Sequence, residues 1–270
     1  MDVPGPDPAA TRAFGDTIDF GRTAGDYGRH RLGFPPRLFA ELTARGLVRP
    51  DTRALDLGTG TGTVARGLAV AGMRVTASDP AAAMMKEARR LDAEAGVAID
   101  YVVGRAEAID AVDGTFDLVT AGQCWHWFDR PVAAGEVFRV LRPGGGAVIA
   151  HLDWIPLPGN VVAATEALIL AHNPAWTMSG GSGLYPPWLA DLATAGFTEI
   201  ETFSFDVSLP YSPEAWRGRI RASAGIRASL DTAATERFDA ELAALLARDF
   251  PGEELAIPHR VWAVTGRKRG

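Results

Sequence analysis

Ala54-Leu55-Asp56-Leu57-Gly58-Thr59-Gly60-Thr61-Gly62-Thr63 is the stretch on which the fold turns. A short apolar run ends in three glycines at alternate positions, and a helical pattern, Thr63–Ala71, follows at once. Glycine accepts positive φ and puts no side chain between backbone and ligand. The helix after it offers free N–H groups and the positive end of its dipole. A strand, a bare turn and a helix in this order are what an open parallel sheet places at the carboxyl ends of its strands, where it binds ligands.

The flanking sequence repeats the alternation. Further strands are predicted at Arg74–Ser78, Ile99–Val103, Phe116–Thr120 and Gly146–Ala150, with helices at Ala81–Ala95 and Arg130–Leu141. Strand–helix alternation at this spacing implies right-handed crossovers and a parallel sheet covered by helices on both faces. A helix is predicted before the first strand, from Pro35-Pro36 through Arg45, with Gly46 just past its end. After Ala150 the rhythm loosens: a helix at 160–172, a Gly/Pro/Trp-rich stretch from Asn173 to Trp188, a helix at 188–195, a strand near 199–209, helical runs at 213–230 and 232–248, and a last strand, Arg260–Arg267.

Three ligand types could use such a turn. A nucleoside triphosphate needs Lys-Ser or Lys-Thr after the glycines, and Thr63-Val64-Ala65-Arg66 stands there instead. A dinucleotide wants G-x-G-x-x-G, whose third glycine would fall at Thr63; Gly62 is one residue early. Asp56, two residues before the first glycine, would repel a pyrophosphate but suits a cationic ligand or the organisation of the turn itself. S-adenosylmethionine carries a sulfonium and an ammonium and no phosphate. Asp79, 21 residues after Gly58, stands at the spacing from which a carboxylate reaches ribose hydroxyls.

The 270 residues suit one large domain, and 47% apolar and 22% charged residues suit a globular protein with a full core. The 30 glycines and 18 prolines show no period, which excludes collagen-like sequence. A net charge of −6 argues against a generic basic face for nucleic acid or an anionic membrane, and the terminal Arg267-Lys268-Arg269 reads as a solvated end. Cys124 is the single cysteine, so no internal disulfide can form, which suits a reducing compartment. Met1-Asp2-Val3-Pro4-Gly5-Pro6 lacks the basic-then-apolar run of a signal peptide, and no apolar stretch approaches a membrane span. The expected location is cytoplasmic, with no membrane partner. The five His and one Cys show no metal-ligand spacing, so no metal is expected.

The set Leu55–Gly62, Asp79-Pro80-Ala81-Ala82-Ala83-Met84, Gly104-Arg105-Ala106-Glu107, Phe116–Val119 and Leu141-Arg142-Pro143-Gly144-Gly145 resembles the ordered motifs of class I S-adenosylmethionine-dependent methyltransferases, in the small-molecule, ubiquinone-biosynthesis-type (type 11-like) branch. The resemblance covers roughly residues 20–150. It implies an α/β, Rossmann-like doubly wound seven-stranded sheet with its last strand antiparallel and helical lid insertions. It also implies S-adenosyl-L-methionine as cofactor and a small-molecule acceptor. On this resemblance Gly58, Thr59, Gly60 and Gly62 let the backbone approach the cofactor, Asp56 orders the turn and Asp79 holds the ribose. Pro80, Met84, Ala106 and Glu107 surround adenine, and Gln123 lies near the methionine end. Arg105 departs from the family, where Asp is common. The implied organisation is a flexible tail at 1–19, a methyltransferase domain at 20–270, a cofactor-binding core at about 46–150, and acceptor-pocket insertions at about 151–195 and 210–250.

Gln123-Cys124-Trp125-His126-Trp127-Phe128-Asp129 follows the fourth strand, across the switch point from the glycine turn. His126 could take a proton from an acceptor, since its intrinsic pKa of ~6.5 lies near neutrality, or could be a packing histidine between two tryptophans. Trp125 and Trp127 could form an aromatic wall for a flat acceptor, or one of them could be core; Cys124 reads as a small buried filler. Within 20–33, Tyr27 resembles a residue that closes over the cofactor, and Arg22, Arg29 or Arg31 could pair with the methionine carboxylate. His151, Trp154, His172, Trp176, Tyr185, Trp188, Trp216, Arg217 and Arg219 lie in the insertions, with His172 on an apolar helix stripe. Two other functions remain open at this point: an NAD-linked oxidoreductase, and a non-catalytic module that binds the cofactor and a protein partner.

Overall fold

The computed structural model describes residues 33–223, 225–226 and 229–270. Tyr27 and the arginines at 22, 29 and 31, together with the tail at 1–19, lie outside the described residues. In chain order the elements are α1 (Pro36–Ala44), β1 (Arg53–Leu57), α2 (Thr63–Val70), β2 (Arg74–Asp79), α3 (Ala82–Ala95), β3 (Asp100–Val103), β4 (Phe116–Gly122), a 3₁₀ turn (Trp125–Trp127), α4 (Arg130–Val140), β5 (Leu141–Trp154), α5 (Val161–His172), α6 (Pro187–Thr194), β6 (Thr198–Tyr211), α7 (Pro213–Arg221), α8 (Thr232–Asp249) and β7 (Leu255–Arg267).

They form one seven-stranded sheet in the order β3-β2-β1-β4-β5-β7-β6. β1 pairs in parallel with both β2 and β4, and β4 with β5, while β7 runs antiparallel to β5 and β6. The implied seven-stranded, doubly wound sheet with an antiparallel last strand is therefore what the chain forms. The strand order reverses between β1 and β4, and the crevice at such a switch point is where open α/β sheets bind ligands.

Burial explains the strand sequences. Ala54, Leu55, Asp56 and Leu57 of β1 are all buried because helices cover both faces of the central strands. On one face α1 and α2 contribute Leu38, Leu42, Val64 and Leu68 to a cluster with Val148, Ala150 and Leu152 of β5. On the other, α4 and α6 contribute Val137, Trp188 and Leu192 to a cluster with Ala147, Ile149 and Trp262. A third cluster lies in the helical insertions: Val162 and Ile169 of α5, Trp216 and Ile220 of α7 and Phe238 and Leu242 of α8 close over Tyr211, Leu255 and Ile257 at the ends of β6 and β7.

Three expectations change. The helical run at 213–230 stops at Arg221. Beyond it Gly225 passes so close to α5 that a Cβ there would stand 2.9 Å from Ile169 and 3.2 Å from Trp176, and Asn173 Nδ2 donates to its carbonyl. β5, expected at Gly146–Ala150, runs on to Trp154 because β7 begins at Leu255 and pairs with the extension. Of the terminal basic run only Arg269 is exposed: Lys268 Nζ donates to the Phe138 and Leu141 carbonyls at the end of α4, 2.8 Å each, and Arg267 donates to the Arg45 carbonyl. Cations there complement the negative end of the helix. Among the described residues no helix is long and apolar enough to cross a membrane.

Candidate active site

The glycine turn is built as its sequence requires. Gly58, Gly60 and Gly62 have φ of 58°, 55° and 77°, in the left-handed region that disfavours any side chain. The three glycines do different work. A Cβ on Gly58 would meet Cys124 Cβ at 2.8 Å and Phe128 at 3.2 Å, so this glycine lets the segment after β4 close against the turn. A Cβ on Gly62 would meet the Tyr101 hydroxyl at 2.6 Å. Over Gly60 the nearest group is Met84 Cε at 3.6 Å, an ordinary contact distance, and this glycine leaves an open cradle.

Two aspartates hold the turn. Asp56 is buried beneath it and accepts the Thr59 hydroxyl at 2.7 Å and the Thr120 hydroxyl at 2.6 Å, which ties β1 to β4. Burial pushes its pKa up to about 6 despite these hydrogen bonds. Asp56 thus acts on the turn rather than at its surface. Asp79, at the end of β2, accepts the Gly60 N–H and the Ala81 N–H, both at 2.8 Å, and burial raises its pKa as well. Pro80 is exposed beside it, and Met84 and Ala106 are buried. Glu107 accepts the Asp129 N–H at 2.9 Å and pairs with Arg105 at 3.4 Å, joining the loop after β3 to the start of α4. The unexpected Arg105 therefore has an acidic neighbour two residues on.

Across the switch point, β4 and β5 part company at the Gly122–Ala150 pair. Gln123 turns the chain with φ 66°; its N–H donates to the Ala150 carbonyl at 2.9 Å and its side-chain amide to the Leu152 carbonyl. A side chain here replaces the missing strand, and residues 151–154 of β5 project past β4 with β7 alone beside them. The 3₁₀ turn then divides the aromatic motif. Trp125 is core, 1% exposed, with Nε1 donating to Asp191 at 2.9 Å. Cys124 is buried, and its Sγ lies 3.1 Å from the Leu57 carbonyl. His126, Trp127 and Phe128 line a cavity of about 650 Å³.

Six of the nine residues singled out in the insertions line that cavity: His151, Trp154, Trp176, Tyr185, Trp188 and Arg219. Trp216 is instead core, Arg217 pairs with Asp239 across α7 and α8, and His172 pairs with Glu241 at 3.0 Å. His126 Nδ1 lies 3.3 Å from His151 Nε2, and His151 Nδ1 lies 2.9 Å from both oxygens of Asp153. Tyr185 donates its hydroxyl to Asp153 Oδ2 at 2.7 Å and stacks on Trp188, with centroids 4.0 Å apart. Burial would raise Asp153, but facing His151, Tyr185 and His126 outweigh it and hold the carboxyl below its ordinary range. Burial beside that carboxylate pushes the Tyr185 phenol well up, so it remains a donor. Sequence reasoning missed Asp153 and Glu166, which also line the cavity. The signal for Asp153 is His-x-Asp, which on a strand puts both side chains on one face; the apolar run that predicts the strand stops at Ala150 and hides it.

The family model described as a methyltransferase domain matches residues 55–149. The ubiquinone biosynthesis O-methyltransferase of Xanthomonas campestris is 30% identical over 193 residues, 70% of this chain and 77% of that protein. The chain belongs to the class I S-adenosylmethionine-dependent methyltransferases. An uncharacterized methyltransferase of Mycobacterium tuberculosis is 39% identical over 152 residues, 54% of this chain; the match spans 59% of that relative's length. Among solved structures, the YcgJ protein of Bacillus subtilis superposes with a TM-score of 0.55 at 20% identity, over 87% of this chain and 99% of that one. Phosphoethanolamine N-methyltransferase 2 of Haemonchus contortus, solved with phosphomonomethylethanolamine and S-adenosylhomocysteine, gives 0.55 at 18% identity, over 93% of this chain and 57% of that one. These structural likenesses carry the fold alone.

The turn of this methyltransferase fits the family's cofactor. The cradle over Gly60 is one a side chain would fill. Each Asp79 oxygen accepts one backbone N–H, and a carboxylate oxygen has a second lone pair, so two acceptors remain for the vicinal hydroxyls of a ribose. Membership sets aside the dinucleotide alternative, which the glycine spacing had already disfavoured.

Proposed function

We propose that this protein transfers a methyl group from S-adenosylmethionine to a small-molecule acceptor held in the cavity beside Phe128. The observation that carries this is the position of Phe128: it packs on Gly58 of the turn and also lines the cavity, so the two sites share a wall. The cofactor, when bound, supplies a methyl group already activated by a positively charged sulfur.

The chain's own residues then have to bind, align and exclude water. Asp79 holds the ribose, and Gly58, Thr59, Gly60 and Gly62 bring backbone close, on a turn that Asp56 secures. Pro80, Met84, Ala106 and Glu107 lie around the adenine, and Gln123 lies at the methionine end. Holding two reactants in line can supply ~7–11 kcal/mol of a barrier. His126 accepts a proton from the acceptor, a role worth ~10²–10⁴-fold. The cavity walls, with Trp127, Trp154, Trp176 and Tyr185, favour a flat acceptor. The division into a cofactor core at about 46–150 and pocket-forming insertions at about 151–195 and 210–250 is supported by the six insertion residues on the cavity. A net charge of −6 favours a small molecule over nucleic acid.

The test is a calorimetric titration of S-adenosylmethionine and S-adenosylhomocysteine on the purified chain and on Asp79→Ala. Both ligands bind the wild type, and the variant loses at least tenfold in affinity. Labelled methyl then passes to a component of a metabolite extract, and less of it with His126→Ala. If neither ligand binds the wild type, the proposal is wrong; if both bind and no methyl leaves, the chain is a binding module.

A further inference from the structure

We propose that Arg66 is a positioning residue for the cofactor: its guanidinium ties the glycine turn to α3 and so sets the width of the cradle in which ribose and adenine lie. This deepens the methyl-transfer proposal and rests on it. The cradle has two walls. One is the turn, with Gly60; the other is α3, whose Met84 Cε stands 3.6 Å from the Cβ position of Gly60. Arg66 of α2 reaches both. Its Nη2 donates to the Thr61 carbonyl of the turn at 2.8 Å and to the Ala88 carbonyl of α3 at 3.4 Å. Its Nε lies 2.9 Å from Asp92 Oδ1, also on α3. Its own backbone N–H takes the Gly62 carbonyl at 2.8 Å. One residue therefore holds two successive carbonyls of a turn whose glycines otherwise permit several peptide orientations.

The guanidinium is itself held in place. Tyr101 of β3 donates its hydroxyl to Asp92 Oδ2 at 2.7 Å, and burial beside that carboxylate pushes the phenol well up, so it remains a donor. The side chains of Arg66 and Asp92 are 18% and 6% exposed. Gly62 fits against this group: a Cβ there would stand 2.6 Å from the Tyr101 hydroxyl and 3.3 Å from both Ala88 Cβ and Arg66 Nη2.

Stability alone does not call for such a group. Desolvation of a buried ion pair offsets much of its attraction, and apolar side chains of similar volume are often as stable in its place. What Arg66 supplies and an apolar side chain cannot is a directed donor on the Thr61 carbonyl. A turn released from that donor spends only part of its time in the binding geometry, and the apparent affinity for the cofactor falls by that fraction.

The decisive comparison sets affinity against stability. In Arg66→Met/Asp92→Leu/Tyr101→Phe the whole group becomes apolar, so no charge or hydroxyl is stranded. The urea midpoint is expected to stay close to that of wild type, while calorimetric affinity for S-adenosylhomocysteine falls about tenfold, the effect of losing a hydrogen bond from a charged donor. Amide exchange of the ligand-free chain is expected to quicken at Gly60 and Gly62, whose N–H groups are tied to Asp79 and Thr59. Tyr101→Phe alone leaves Arg66 on the Thr61 carbonyl and is expected to bind within about twofold of wild type. Should the triple variant not fold, Asp92→Asn serves: the Tyr101 hydroxyl keeps the side-chain oxygen, the amide NH₂ faces the guanidinium, and Arg66 is driven off Thr61 with the same loss of affinity. Affinity within about twofold of wild type in whichever of these two variants folds overturns the proposal. A loss in Tyr101→Phe as large as in the triple variant assigns the effect to packing on Gly62 and overturns it too. A wild type that binds no S-adenosylhomocysteine refutes the methyl-transfer reading instead, and exchange at Gly60 and Gly62 still tells whether Arg66 holds the turn.

Discussion

Replacing Asp56 by Asn should remove a pH dependence of folding that the native carboxyl imposes. Asp56 is 1% exposed, and its pKa stands at about 6 against an ordinary 3.8, chiefly through burial, with the Asp79 charge adding to it. The folded state therefore holds this proton more tightly than the unfolded chain. Between about pH 4 and 6 the native form binds more protons, so stability falls as pH rises through that window and is flat on either side. A tenfold gain in proton affinity corresponds to ~1.4 kcal/mol, so the wild type should lose about 3 kcal/mol from this group over the whole titration, about 2 kcal/mol of it between pH 4 and 6. Urea denaturation of wild type and Asp56→Asn at half-unit steps from pH 4 to 8 measures it. The new amide's own contacts with Thr59 and Thr120 are the same at every pH, so they cancel in the change of the stability difference. Relative to wild type, the variant should gain about 2.4 kcal/mol between pH 4 and pH 7. Parallel curves for the two proteins would refute the account of Asp56 as a buried acid beneath the turn.

Gly58→Ala should destabilise the fold by more than ~2 kcal/mol, since left-handed strain of ~1–2 kcal/mol combines with a Cβ 2.8 Å from that of Cys124; Gly60→Ala, with only Met84 at 3.6 Å, should cost the strain alone while weakening S-adenosylhomocysteine binding at least tenfold. Thermal melts and calorimetry separate the two, and equal losses of stability would contradict their different surroundings. Gln123→Ala leaves the Leu152 carbonyl without its side-chain donor and should cost ~1 kcal/mol, with faster amide exchange confined to residues 151–154; unchanged exchange there would show that β7 suffices to hold the overhang. Trp125→Phe removes the bond from Nε1 to Asp191 and should cost ~1–3 kcal/mol in denaturant unfolding without changing cofactor affinity; a large loss of affinity would place Trp125 in the site rather than the core.

Local chemistry determined the first half of this molecule. The glycine turn, Asp79 and the strands around them could be named from the sequence because each follows from neighbours within a few residues: positive φ demands glycine, and alternating strands and helices demand a parallel sheet. The cavity could not be named in that way. His151 and Asp153 share a face only because β5 continues past Ala150, and it continues because β7, more than a hundred residues later, pairs with it. The roles of the tryptophans were undecided for the same reason: Trp125 became core and Trp127 cavity wall through what α6 and β5 brought against them, including the bond from Trp125 to Asp191. Turn geometry is a short-range property of the chain, whereas a pocket is a long-range one. Its residues are joined by packing between elements, and no local periodicity records which distant side chain will arrive.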